Sequence, residues 1–245
     1  MQEFSCCLIR KDPPFDEGYK NLCWMLSCQT KVPILNSPQA LLTYHEKTLQ
    51  FRAYFEGVIQ KENLIPTCVS SSFEMIKSFC TENQDSFQKG YVCKPWLGHG
   101  GQNIAVYKTQ TKLFTALKAK LKGNPVLVQP YLEDIHTQGD RRVIVADGKL
   151  ICHFVRLPPP GKIVSNIAQG GQPLLRKLTA EQKKICLNVA KFLKQKNIFM
   201  AGLDMIGSRL GEINITSPTG LRTYETLTGT CVATKIFQLL VKSSL

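Results

Sequence analysis

This sequence of 245 residues predicts an α+β fold, in which capped helices lie beside sheets whose strands pair antiparallel. Three observations lead there. Asp147-Gly148 separates two strand-like runs, 142–146 and 150–155, and that dipeptide is a strong signal for a two-residue hairpin. Thr179, with Gln182 at the capping-box position, opens an amphipathic stretch whose apolar face is Ile185, Val189, Phe192 and Leu193. Finally, 43% apolar against 20% charged residues is enough to bury an ordinary core, which excludes a disordered chain.

A short apolar run at 6–9 precedes Arg10, Lys11, Asp12 and the turn-forming Pro13 and Pro14; a helix is expected over 19–28 and a brief strand over 32–35. Two short strands and one helix cannot close a core alone. Residues 1–40 are therefore expected to pack on the rest, or to be the remnant of an amino-terminal domain whose beginning is absent. Ser37 and Pro38 supply an N-cap and a first-turn proline for a helix that carries His45, Glu46 and Lys47 to about Phe55.

A strand at 65–69, a helix at 70–80, strands at 91–95, 103–107 and 125–129, and a lysine-rich helix at 111–121 follow. Beyond the hairpin, residues 157–172 contain Pro158, Pro159, Pro160 and the pair Gly170-Gly171 and show no periodicity. A structureless stretch of that length is more often a functional lid than a passive connection. Strands at 198–206 and 210–215 and a helix at 231–241 complete the chain.

With 31 Lys and Arg against 18 Asp and Glu, the formal charge is +13 and the chain is drawn to anions. The basic residues are dispersed, with only short pairs such as Lys183-Lys184 and no aromatic platform, which argues against nucleic acid. No apolar run has the length of a bilayer span, and 4–9 is too short for a secretory signal, so no membrane partner and a cytoplasmic location are expected. Ten cysteines without a close C-x-x-C pair read as reduced, mostly buried thiols, and the four histidines show no zinc-like spacing with them.

Three constellations carry chemistry. Lys94 ends a strand and is followed by Gly98-His99-Gly100-Gly101, where glycines would let backbone N–H groups approach phosphate oxygens beside a lysine; a glycine turn that only closes a hairpin is the plain alternative. Asp204 lies within an apolar run, and Glu212 and Asn214 share a face of the next strand. Oxygen ligands from adjoining strands suit magnesium, while solvent-facing alternation is the competing reading. Asp140, Arg141 and Arg142 begin one strand and Arg156 ends its hairpin partner, so arginines can clamp a phosphoryl group or a carboxylate.

Taken in order, Arg10-Lys11-Asp12-Pro13-Pro14-Phe15-Asp16, His45-Glu46-Lys47, Lys94-Pro95 with Gly98 to Gly101, Gly139-Asp140-Arg141-Arg142-Val143, Gly202-Leu203-Asp204, and Glu212-Ile213-Asn214-Ile215-Thr216-Ser217-Pro218-Thr219 resemble prokaryotic glutathione synthetase over nearly the whole chain. The resemblance implies an ATP-grasp fold, with residues 1–40 as the remnant of an α/β substrate domain and 41–245 as two lobes, about 60–128 and 129–245, that hold ATP between their sheets. It implies a ligase of glutathione biosynthesis that uses ATP and magnesium, or manganese in its place, to join γ-glutamylcysteine to glycine through an acyl phosphate. By position, Lys47 and Lys94 contact ATP phosphates, Gly98, His99, Gly100 and Gly101 cover them, Gln129, Tyr131 and Leu132 line the adenine pocket, and Asp140 belongs to the nucleotide set. Asp204, Glu212 and Asn214 hold magnesium; Arg142 and Arg156 face the transferred phosphate and acyl group. Asn166, Gly170 and Gly171 of the lid, with Ser217, Pro218 and Thr219, meet the peptide substrate.

The sequence departs from the family pattern at Leu97, where an Asp is usual, and at Pro159, Pro160 and Val164, where glycines and an arginine are usual. A stiffer lid without that arginine favours a related ATP-grasp ligase with another acceptor, and the shortened front end favours a non-catalytic nucleotide-binding fragment. A homo-oligomer and a complementing chain both stay open as partners.

Overall fold

Side-chain caps set the starts of four helices. In the computed structural model, which describes residues 4–28, 31–98, 101–121 and 123–243, Asp16 accepts a hydrogen bond from the Tyr19 N–H, Ser72 from Met75 and Thr109 from Lys112. Thr179 and Gln182 form the reciprocal capping box, both bonds at 3.1 Å.

In chain order the elements are β1 (Cys7–Leu8), α1 (Glu17–Ser27), β2 (Ile34–Leu35), α2 (Pro38–Thr43), α3 (Leu49–Phe55), β3 (Cys68–Ser70), α4 (Phe73–Glu82), β4 (Tyr91–Pro95), β5 (Ala105–Tyr107) and α5 (Gln110–Lys120). They continue with β6 (Val126–Pro130), α6 (Asp134–Thr137), β7 (Asp140–Ala146), β8 (Lys149–Leu157), β9 (Gln172–Leu174), α7 (Ala180–Gln195), β10 (Met200–Ile206), β11 (Arg209–Asn214), α8 (Leu221–Thr228) and α9 (Ala233–Ser243). Among the described residues no helix is long and apolar enough to cross a membrane.

The single helix expected from Ser37 to about Phe55 is two. Ser37 makes no side-chain cap bond, α2 ends at Thr43, and residues 44–48 form a loop that carries His45, Glu46 and Lys47. The interruption coincides with contacts remote in sequence, since the Glu46 carbonyl accepts the Ile213 N–H at 3.2 Å. The stretch 157–172, expected to lack structure, contains a 3₁₀ turn over Ile167–Gln169, capped by the Asn166 side chain, and runs into β9.

The chain divides into two units. One holds the described residues up to Leu64, Asp140–Arg156 and those from Pro173 on; its sheet runs β11-β10-β7-β8-β9. Val143, Val145, Ala201, Leu203, Met205 and Ile213 pack with Ile185, Cys186, Val189, Phe192 and Leu193 of α7. On the opposite face, Ile144, Ala146, Cys152 and Met200 pack with Val232, Ile236 and Leu239 at α9. Asp147 and Gly148 both have positive φ, 48° and 72°, as a two-residue hairpin with matching twist requires.

The parallel pair β1 and β2 joins this unit through Asn36. Its buried amide donates to the carbonyls of Met200 at 3.0 Å and Ile215 at 2.7 Å and accepts the Met200 N–H at 2.8 Å. The amino-terminal segment is thereby tied to the start of β10 and the end of β11.

The second unit comprises Ile65–Gly139 and Leu157–Gln172 and is built on an antiparallel sheet of order β3-β6-β4-β5. Ile76, Cys80, Leu113 and Leu117 of α4 and α5 cover the face that carries Tyr91, Cys93, Val126 and Val128. Strand alternation puts Val69, Val92, Lys94, Val106, Leu127 and Gln129 on the other face.

Candidate functional site

The chemistry-bearing residues of the larger sheet meet because of strand register. Asp140 lies opposite Arg156, Arg142 opposite Asp204, Asp204 opposite Glu212, and Gly202 opposite Asn214, so all share the face turned away from α7. Arg142 grips Asp204 in a two-pronged pair: Nε donates to Oδ1 at 2.6 Å and Nη2 to Oδ2 at 2.9 Å. Arg156 Nη2 lies 3.0 Å from Asp204 Oδ1 and 2.5 Å from Asp140 Oδ2, and Asn214 Nδ2 donates to Asp204 Oδ2 at 3.1 Å. Gly202 leaves room for this cage, since a Cβ there would come within 3.0 Å of Arg142 Nη1 and 3.1 Å of Pro218.

Burial alone would raise the Asp204 carboxyl, but the guanidinium groups of Arg142 and Arg156 hold it below the ordinary carboxylate range. Burial likewise opposes charge on Arg156, and Asp140 with Asp204 more than offsets it, so its affinity for its proton is raised. Asp204 and Arg156 are therefore charged at neutral pH. Arg156 Nε is nevertheless buried without a hydrogen-bond partner, an orphan donor of the kind an anionic ligand satisfies.

The rest of this unit's predicted residues border the cage in sequence or by hydrogen bond. After Asn214 the chain runs through Ser217, Pro218 and Thr219, where Arg10 Nη2 donates to the Pro218 carbonyl at 2.8 Å and Arg142 Nη1 to that of Thr219 at 3.2 Å. Gly220 closes the turn at φ +123°, and a Cβ there would lie 2.8 Å from the Phe154 ring. Lys47 is buried in the loop before α3, with its carbonyl accepting from Gln50 Nε2 at 2.9 Å. Asn214 spends its amide N–H groups on Asp204 and the Gly202 carbonyl, which leaves its side-chain oxygen as a hard donor beside the Glu212 carboxylate.

In the second unit, Lys94 shares its sheet face with Val92, Leu127 and Gln129, and Gln129 Nε2 donates to Thr67 Oγ1 at 2.8 Å. Tyr131, just past β6, bonds the Gly90 carbonyl through its N–H, pairs its hydroxyl with His136 and takes Lys108 over its ring at 5.0 Å. Leu132 follows, half-buried. Gly98 donates its N–H to the Pro95 carbonyl, and Gly101 at φ +76° lies where a Cβ would strike Val164 at 2.7 Å. His99 and Gly100 lie outside the described residues. Asn166 and Gly171 form one knot, with the Gly171 N–H on the Asn166 carbonyl at 3.0 Å, and Gly170 closes the 3₁₀ turn at φ +92°.

Sequence reasoning gave no role to Glu46, Arg10, Gly202 or Gly220. The two glycines follow the motif logic of close approach. Glu46 and Arg10 reach partners 170 and 208 residues away, so no local pattern could reveal them.

Residues 55–229 match the family model of the prokaryotic glutathione synthetase ATP-grasp domain, and residues 1–41 that of the prokaryotic glutathione synthetase N-terminal domain. The chain is 33% identical over 248 residues to the glutathione synthetase of Prochlorococcus marinus subsp. pastoris, covering 99% of this chain and 76% of that one. It is 35% identical over 232 residues to the enzyme of Vibrio cholerae, covering 92% and 69%. Among solved structures, the D-cycloserine synthetase DcsG superposes with a TM-score of 0.76 at 17% identity, over 100% of this chain and 85% of that one. The macrocyclase MdnC of Microcystis aeruginosa, bound to its precursor peptide MdnA, gives 0.68 at 17%, over 99% and 80%. The fold is ATP-grasp, and the chain belongs to the prokaryotic glutathione synthetase family.

Proposed function

We propose that this chain is an ATP-dependent ligase that joins the cysteinyl carboxylate of γ-glutamylcysteine to the amine of glycine, forming glutathione. The observation that carries the reading is the cage of Arg142, Arg156, Asp140, Asp204 and Asn214 on one sheet face, with a buried guanidinium N–H still without a partner. Such a site recognises an anion whose charge moves during reaction, and phosphoryl transfer demands positioning and neutralisation more than a nucleophilic side chain.

In this reading Lys47 and Lys94 bind the phosphates of ATP, Gly98 to Gly101 cover them, and Asp140 belongs to the nucleotide set. Gln129, Tyr131 and Leu132 receive the adenine. Residues 1–40 serve the peptide side, where Arg10 steadies Pro218, and Ser217, Pro218 and Thr219 meet γ-glutamylcysteine with Asn166, Gly170 and Gly171. Glu212 and the Asn214 side-chain oxygen would hold magnesium, which takes hard oxygen ligands and keeps room for phosphates, with Asp204 next to them on the same sheet face and engaged by Arg142 and Arg156. The metal, when bound, neutralises phosphate charge. The carboxylate oxygen of the peptide attacks the γ-phosphorus as ADP departs, and the glycine amine then displaces phosphate from the acyl carbon, losing a proton as the amide forms. Arg142 and Arg156 balance the charge on the transferring group, and the packed sheet behind them keeps both from reorganising. The setting is cytoplasmic, whose reducing conditions suit ten cysteines held as free thiols.

The lid favours a second reading, a related ligase with another acceptor amine, because Pro159, Pro160 and Val164 stand where family members offer glycines and a cation. Purified chain with magnesium, ATP and γ-glutamylcysteine is assayed for ADP with and without glycine. Glycine-dependent ADP with glutathione in equal amount supports the synthetase; ADP that appears only with a different amino acid moves the assignment to the second reading.

A further inference from the structure

Glu46 belongs to no group assigned above, yet its side chain and its carbonyl both accept hydrogen bonds from residues far along the chain. Its Oε1 accepts from the N–H of Ile215 at 2.9 Å, the N–H of Thr216 at 3.0 Å and the hydroxyl of Thr216 at 2.8 Å. Its carbonyl accepts from the Ile213 N–H at 3.2 Å, and four residues on, Gln50 Nε2 donates both to the Lys47 carbonyl and, at 3.1 Å, to that of Gly211. The loop holding Lys47 is therefore laced along β11 and its exit.

The placement matters because of what lies on either side. One residue after Glu46 is Lys47; one residue before Ile215 is Asn214; one residue after Thr216 the Ser217–Thr219 segment begins. Past Asn214 the chain leaves the sheet, so Ile215 and Thr216 have no ladder partner for their N–H groups, and a single side-chain oxygen supplies both. An ordinary loop anchor would use any convenient carbonyl. Here the acceptor converges three donors on one point and so fixes the direction in which residues 217–219 depart.

We infer that Glu46 is a positioning residue that sets the peptide-substrate loop at 217–219 against the Lys47 loop, so that it governs capture of the dipeptide far more than capture of ATP. The inference rests on the ligase reading for the role of that loop. Two arms separate the loop from the nucleotide. Removing the side chain frees Ile215 and Thr216, whereas the Glu46 carbonyl and Gln50 continue to hold Lys47.

The test uses the full chain with Glu46→Ala and Glu46→Gln. By hydrogen exchange, the amides of residues 215 and 216 open at least about 10-fold faster in E46A, since local opening there loses its acceptor, while amides of β7 keep their wild-type rates. E46Q retains an acceptor oxygen in the same place and stays within about 3-fold of wild type. In turnover, E46A raises KM for γ-glutamylcysteine at least about 10-fold and leaves ATP affinity by calorimetry within about 3-fold, and E46Q restores most of the loss. Unchanged exchange at 215 and 216 in E46A overturns the inference, and so does an equal loss for dipeptide and nucleotide. A wild-type chain that makes no glutathione refutes the ligase reading alone, because the exchange contrast is read on the protein without substrates and decides the tie by itself.

Discussion

Asp204→Asn removes one charge from the middle of a buried cage, and the contacts say what that costs. Both Asp204 oxygens accept guanidinium donors, from Arg142 at 2.6 and 2.9 Å and from Arg156 at 3.0 Å. Arg156 keeps Asp140, whereas Arg142 loses both of its bonds to the Asp204 carboxylate charge and keeps the one to the Thr219 carbonyl. Breaking a buried pair by deleting one partner costs about 3–5 kcal/mol, and the surviving Asp140 contact places the expected loss near the lower end, about 3 kcal/mol at pH 7. Urea unfolding reads it: with Trp96→Phe as background, Trp24 in α1 reports on the unit that contains the cage. The pH dependence follows from the same pair. Because the folded carboxyl is held below its unfolded value of about 3.9, its contribution is full above that pH and is lost as pH falls through the lower folded value. Wild type and D204N therefore converge in acid. A loss under about 1 kcal/mol, or a difference that persists unchanged below about pH 3, refutes the reasoning, since only exposed pairs behave that way.

Lys94→Ala lowers ATP affinity at least about 10-fold by calorimetry, as loss of a charged phosphate contact should, and unaltered affinity removes Lys94 from the nucleotide set. Glu212→Gln keeps the wild-type circular dichroism and loses nearly all metal-dependent turnover; full turnover would end the metal assignment. Gly220→Ala, at φ +123° and 2.8 Å from the Phe154 ring, costs about 1–3 kcal/mol and disturbs dipeptide binding, and a neutral substitution would mean the turn has room to shift. Native chain exposes Cys28 and Cys231 to thiol reagents, while Cys80, Cys152 and Cys186, whose burial pushes their thiols up to about 12, react only on unfolding; prompt labelling of the buried three contradicts the packing.

Local signals carried much of this fold. The hairpin at Asp147-Gly148, the capping box at Thr179 and the strand at 91–95 depend on residues adjacent in sequence, and each stands where its chemistry predicts. Helix α8 was not legible, because it starts at Gly220 instead of a Ser, Thr, Asp or Asn cap and buries no residue. The expected helix through His45 failed for the opposite reason: propensity over 38–55 is helical, and contacts with β11 override it. The shared face of Glu212 and Asn214 followed from period-2 alternation. That two arginines enclose Asp204 did not, since it depends on the register of three strands drawn from segments about sixty residues apart in sequence.

Ligation through an acyl phosphate leaves a signature in oxygen transfer. γ-Glutamylcysteine labelled with ¹⁸O in its cysteinyl carboxylate is turned over with ATP, magnesium and glycine, and the inorganic phosphate is analysed by mass. One labelled oxygen is expected in phosphate for each glutathione formed, because the attacking carboxylate oxygen leaves with the phosphoryl group. Unlabelled phosphate alongside glutathione would contradict it.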